Sequence, residues 1–177
     1  ERRTTKDGLL GGESARQFEL AGIEFPLFVK PAYEGSSKGV GDKSLVDSLE
    51  ELTAAVTELR ARYEQPILVE EFIGGDEFTV GVVGNDPPRV LGIMRVAPAQ
   101  PADRFVYSIE AKRDWKRLIH YETPARIPVE LAAKIEQAAL AAYRVLGCRD
   151  VARVDFRMKD GEPYFLAVFL IGAYQEI

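Results

Sequence analysis

Lys30 and the residues after it have the make-up of an anion site. Past Pro31 come Gly35, Ser36, Ser37, Lys38, Gly39 and Gly41, a loop with little side-chain bulk, two hydroxyls, an ammonium and many backbone N–H groups. Such a loop can close over phosphates with its amides and hydroxyls. Lys30 stands at the mouth of an apolar run, Leu27-Phe28-Val29, and a charge there is costly to place unless an anion meets it. The loop is not of the Walker A type: GxxxxGK[ST] cannot be aligned, and GxGxxG fails at Ser44. Taken alone, it reads equally well as a solvated turn after an edge strand.

Three further stretches bear on the same ligand. Ile67-Leu68-Val69-Glu70-Glu71-Phe72-Ile73 is apolar and turns polar at its end. An adenine ring suits an apolar slot edged by backbone N–H and C=O groups. Glu77 opens the next strand, within reach of that slot, where a carboxylate could accept both hydroxyls of a ribose. In Ala152-Arg153-Val154-Asp155-Phe156 the alternation of a strand puts Arg153 and Asp155 on one face. An Arg beside an Asp on a buried strand is usually a structural ion pair; opposite a triphosphate it can be an anion clamp beside a metal ligand.

The elements that must position these residues follow from the pattern. Leu27–Val29 predicts a buried strand that Lys30 closes and Pro31 ends, proline having no N–H for the ladder. Ser48-Leu49-Glu50-Glu51 fits a capping box, and Leu49, Leu52, Val56, Leu59 and Tyr63 recur at helical spacing, predicting a helix from there to about Arg62. Ile67–Val69, Glu77–Val83 and Val90–Val96 read as strands of an antiparallel meander, with Asn85–Pro88 as a loop. Residues 97–123 read as a long irregular lid with a basic-aromatic run, KRDWKR, from Lys112. Pro128 starts a helix through Leu131, Ile135, Ala138, Ala142 and Leu146, which Gly147 stops. Val151–Met158 and Pro163–Phe169 form a hairpin across Lys159-Asp160-Gly161. At the N-terminus, Glu13–Leu20 reads as a short helix, and Glu1–Gly12 has no assignable structure.

Composition narrows the class. With 177 residues, 46% of them hydrophobic, the chain can bury one substantial core or two small ones. A net charge of -5 argues against general nucleic-acid binding, so a phosphorylated ligand must be met by a few placed cations. The single cysteine, Cys148, allows no internal disulfide, and a reducing cytoplasm is expected. There is no apolar run of bilayer length and no signal-peptide pattern. His120, the one histidine, lies in the charged stretch and is a poor candidate for a general base.

In order along the chain, FVKPAYEGSSKGVG, ILVEEFIGGDEFTVGVVG, IEAK and ARVDF resemble the ATP-grasp ligases, and most closely the D-alanine–D-alanine ligase group. The resemblance covers about Phe25 to Val168. It implies an α+β ATP-grasp fold of two subdomains with nucleotide bound between them: a small one over 25–88, a large and incomplete one over 89–177, and an ill-defined segment over 1–24. It also implies that Lys30 and Lys112 bind ATP phosphates under the Ser36–Ser37 loop, and that Glu70, Glu71, Phe72 and Ile73 surround the adenine. Glu77 would hold the ribose, Arg153 would orient an acyl phosphate and the substrate carboxylate, and Asp155 would bind Mg2+. The implied activity is ATP-dependent joining of a carboxylate to an amine in peptidoglycan precursor synthesis. Its partners are small molecules, ATP and D-alanine or a similar amino acid, with a homodimer left open and neither nucleic acid nor membrane.

The chain departs from the family pattern along its last strand and tail, after the EAK triplet, and over residues 1–24. Ala167 and Phe169 stand where the family carries Glu-x-Asn, two magnesium ligands, and neither can coordinate a hard cation. The glycine-containing segment that follows is replaced by Ile171-Gly172-Ala173-Tyr174. Arg113 follows the EAK triplet where tyrosine is usual, and residues 1–24 offer no counterpart to the family's N-terminal substrate domain. The alternative function is therefore a truncated or degenerate nucleotide-binding module without turnover, and a third reading is an interaction protein that keeps only the scaffold.

Overall fold

In the computed structural model, residues 3–5, 22–35, 37–102 and 104–171 are described, the first three and Asp42 by their backbone alone. They form two compact units. One takes in the described residues up to Phe72 together with Val106–Asp114; the other takes in the described residues of Ile73–Phe105 and those from Trp115 onward.

The first unit is built on β1 (Arg3–Thr5), β2 (Leu27–Pro31), β3 (Leu45–Val46) and β4 (Ile67–Glu71), in the sheet order β1-β4-β2-β3 with every pairing antiparallel. Helix α1 (Leu49–Tyr63) covers one face, burying Leu52, Ala55 and Val56 against Leu27, Val29, Val46, Ile67 and Val69. Ser48 caps the helix, its Oγ accepting from the Glu51 N–H. The reciprocal bond lands one residue early, with Glu51 Oε2 accepting from the N–H of Asp47 at 2.7 Å. Short helix α2 (Ile109–Arg113), capped by Ser108, completes the unit.

The second unit is a five-stranded antiparallel sheet made of β5 (Glu77–Val83), β6 (Arg89–Pro98), β7 (Ile119–Glu122), β8 (Val151–Lys159) and β9 (Glu162–Leu170), ordered β7-β6-β5-β8-β9. Short helix α3 (Trp115–Leu118) leads into β7, and α4 (Val129–Val145) packs Ile135, Ala139 and Tyr143 onto Phe78, Val80, Ala152, Val154 and Phe156. Tyr143 is buried, and its hydroxyl donates to the Gly84 carbonyl at 3.0 Å. Burial pushes that phenol above the ordinary tyrosine value, with Cys148 and Asp150 acting in the same direction.

Several expectations need correction. Arg3–Thr5 pairs with β4, although no structure was expected there. The meander is broken after its first strand, because β4 joins β2 in one sheet while β5 and β6 belong to the other. A subdomain boundary at 88/89 would cut the β5–β6 hairpin; the units part at Phe72/Ile73, and the chain returns to the first for Val106–Asp114. The stretch 97–123 holds two short helices and a strand, with His120 exposed on β7. Pro128 is the cap of α4 and not its first residue. The expected helix at Glu13–Leu20 lies outside the described residues. No helix among the described residues is long and apolar enough to cross a membrane.

Candidate functional site

In the first unit the glycine loop meets Lys112. The Lys112 Nζ donates to the Ser37 Oγ at 2.7 Å, and that hydroxyl donates in turn to the Tyr107 carbonyl at 3.0 Å. The ammonium also lies 4.7 Å from the centre of the Tyr107 ring, a cation–π distance. Ser37 adopts a φ of 61°, unusual for a residue with a side chain, which aims its hydroxyl at Lys112. Gly39 (φ 75°) passes so close to Pro31 that a Cβ would sit 2.6 Å from the ring. The loop's amides are less available than its composition promised. The N–H groups of Lys38 and Val40 close turns onto Gly35 and Ser37, and that of Gly41 donates to the Ser44 hydroxyl. Ser36, expected beside Ser37, lies outside the described residues.

Lys30 has an anion of its own. Leu27 and Val29 point into the core, which leaves Phe28 and Lys30 on the opposite face of the sheet. There Lys30 Nζ meets Glu70 Oε2 at 2.7 Å, both side chains mostly buried, and Phe28 lies 6.3 Å from Phe72 between ring centres. A phosphate at Lys30 would thus share the ammonium with Glu70. The backbone beyond β4 is also partly engaged, since the Phe72 N–H donates to the Pro26 carbonyl at 2.9 Å. Glu71 is exposed.

The second unit holds Ile73, Glu77, Arg153 and Asp155. Thr79 of β5 faces Asp155 of β8, and Glu77 faces Arg157. The Asp155 Oδ1 accepts from the Thr79 hydroxyl at 3.0 Å and from the Arg153 Nε at 3.0 Å, while Oδ2 accepts from the Arg153 Nη2 at 2.9 Å. This bidentate fork is the strongest form of carboxylate pairing. On the other side of β8, Ala167 of the edge strand β9 stands opposite Asp155 and Phe169 opposite Arg153. The Arg153 guanidinium lies 4.3 Å from the Phe169 ring centre. A bulge between Asp155 and Phe156 ends this register one residue later.

These residues do not fit a magnesium site. Mg2+ takes a near-octahedral shell of oxygens. Here one carboxylate is forked by an arginine, a methyl group faces it, and an aromatic ring covers the arginine. Among the described residues there is no group of three or more His, Cys, Asp or Glu side chains placed to hold a metal ion.

Sequence reasoning missed Arg157. Its Nη1 donates to the Ile73 carbonyl at 2.9 Å, and its Nη2 to the Phe105 carbonyl at 2.7 Å, with Glu77 Oε2 3.4 Å away. A signal existed: Arg157 continues the alternation of Arg153 and Asp155 along β8. Thr79 and Tyr107 were missed as well, because a hydroxyl and a carbonyl acquire partners only once strands and loops are placed.

The two units together define a class, an ATP-grasp fold with a serine–lysine loop in one sheet unit and an Arg-x-Asp strand in the other. The family described as D-ala D-ala ligase C-terminus matches residues 8–170, and the chain belongs to it. A D-alanine–D-alanine ligase of Chlorobium luteolum is 38% identical over 146 residues, which are 81% of this chain and 37% of that protein. Among solved structures, the VanG D-Ala:D-Ser ligase of Enterococcus faecalis is 29% identical with a TM-score of 0.71, covering 95% of this chain and 46% of its own. The D-alanine–D-alanine ligase of Bacillus anthracis, solved with ATP, is 27% identical with a TM-score of 0.65, covering 95% and 48%. The chain thus spans less than half the length of each of these relatives.

Proposed function

We propose that this chain is the nucleotide-binding part of an ATP-dependent carboxylate–amine ligase of the D-alanine–D-alanine type, serving peptidoglycan precursor synthesis. A carboxylate is a poor acyl donor. Transfer of the γ-phosphoryl group of ATP to it gives an acyl phosphate and ADP; an amine then attacks the acyl carbon, and phosphate leaves from the tetrahedral adduct. Lys112 and the Ser37 loop are assigned to the phosphates, with Lys30 shared between phosphate and Glu70. Glu70–Ile73 are assigned to the base, Glu77 to the ribose, and Arg153 to the acyl phosphate. The observation that carries the reading is the bond between Lys112 and Ser37, which joins two of the recognised motifs across 75 residues of sequence. Fixed cations of this kind stabilise charge leaving the γ-phosphate.

A second reading is favoured by a specific observation. With Asp155 forked by Arg153 and faced by Ala167, no step can be derived through magnesium, and the chain as written would bind nucleotide with little or no turnover. Calorimetry tests the part common to both readings. Lys112→Ala and Lys30→Ala should each weaken ATP binding about tenfold or more, the worth of a hydrogen bond to a charged group. Lys43→Ala, which removes an exposed pair with Glu58, should leave it unchanged. Equal affinities in all three variants and the parent would refute the phosphate assignment. Phosphate release from the parent chain with ATP, D-alanine and magnesium would then decide between the readings.

A further inference from the structure

We propose that Arg157 is a positioning residue for nucleoside recognition, fixing the Glu77 carboxylate and the Ile73 carbonyl in the orientation that ribose and base require. The inference rests on the nucleotide reading above and adds to it the residue that sets its selectivity. Glu77 and Arg157 stand opposite each other on β5 and β8, and both are buried, at 9% and 6% exposure. The guanidinium reaches acceptors from three separate segments: Ile73, where the chain enters the second unit, Glu77 at the start of β5, and Phe105, where the chain leaves the unit.

Stability alone gives little reason for this arrangement. A buried ion pair is often no better than an apolar residue of similar volume, because desolvation offsets the attraction. Burial pushes the Arg157 guanidinium below its ordinary value, with Glu77 opposing that shift. What an arginine supplies, and an apolar residue or lysine does not, is a rigid planar fork that holds several oxygens in fixed relation. Two of those oxygens belong to residues assigned to the nucleoside. A glutamate that must accept two vicinal hydroxyls needs its carboxylate plane fixed, and the long side chain of Glu77 does not fix it unaided.

The test measures the affinities of the full chain for ATP, 2′-deoxyATP and tripolyphosphate. The parent should prefer ATP to 2′-deoxyATP by about tenfold or more, as expected when a hydroxyl bonded to a charged group is lost. Arg157→Lys should lose that preference while binding tripolyphosphate as the parent does. Adding Glu77→Gln to it should change the preference no further. An equal fall for all three ligands would mean a purely structural role and overturn the proposal, as would a preference left intact. If Arg157→Lys does not fold, Arg157→Gln, which removes the fork but keeps an amide donor facing Glu77 across β5 and β8, takes its place, and failure of both to bind any ligand also overturns it. A parent that binds no ATP would refute the nucleotide reading itself, a result distinct from a parent that discriminates and an unchanged Arg157→Lys.

Discussion

The misfit between Asp155 and magnesium can be tested by rebuilding what β9 lacks. Ala167→Glu combined with Phe169→Asn puts a carboxylate directly opposite Asp155 and an amide opposite Arg153. Without metal the double variant should be weaker than the parent. Loss of the Phe169 ring under a half-exposed guanidinium costs about 0.5–1 kcal/mol. Like charges facing each other across a strand pair cost about 0.2–1 kcal/mol more. For a chain of this length each kcal/mol corresponds to about 2–4 °C, so the melting temperature should fall by roughly 1–8 °C. Magnesium at about 100 times its dissociation constant should return roughly 2.7 kcal/mol, offsetting the loss. Melting curves taken without nucleotide, in magnesium chloride and in potassium chloride of matched ionic strength, read both effects. The parent should show no magnesium-specific shift. A parent that shifts as far as the double variant, or a double variant that gains nothing, would refute the reasoning from Asp155, Ala167 and Phe169.

Two other outcomes follow from the packing. Tyr143→Phe removes the bond to the Gly84 carbonyl and should lower stability by about 1 kcal/mol at neutral pH. Because the folded-state pKa of Tyr143 is raised, its contribution is intact below the unfolded value of about 10 and is lost as pH rises through the folded one. Urea midpoints should therefore fall more steeply in alkali for the parent than for the phenylalanine variant, and parallel curves would count against the assignment. Gly75→Ala would place a Cβ 2.4 Å from the Met158 carbonyl oxygen at a φ of 87°, and the loss of stability should be on the order of 2 kcal/mol or more. Unchanged denaturation would mean that the β8 backbone yields at this point.

Much of the fold could be read from local signals. Glu77–Val83 alternates and is bounded by Gly74-Gly75 and Gly84, so its limits were legible to the residue. The Ser48 cap marked the start of α1 in the same way. Arg3–Thr5 was not legible because three residues carry no periodicity; they form a strand because β4 offers them an edge. The two short helices before β7 escaped for the same reason, although Ser108 was a readable cap. Within the site, residue types and spacing marked Lys30, Arg153, Asp155 and Glu77 as candidates. They did not reveal which charge each would meet, since Glu70 lies 40 residues from Lys30 in sequence and reaches it only through the β2–β4 register.

The Arg157 guanidinium has a consequence for how the chain comes together. The excursion Ile73–Phe105 separates Ser37 from Lys112 in sequence, and closing a flexible loop of 75 residues carries an entropic cost of roughly 4 kcal/mol, apart from a constant. Arg157 holds the carbonyls of Ile73 and Phe105, the two ends of that excursion, on a single side chain. Once β8 has paired with β5, the intervening residues no longer count as free chain, and the remaining closure runs through about 43 residues, a saving of about 0.5 kcal/mol. Arg157 itself lies beyond Lys112 in sequence. Closing the serine–lysine contact of the first unit would therefore cost slightly less once the second unit has formed.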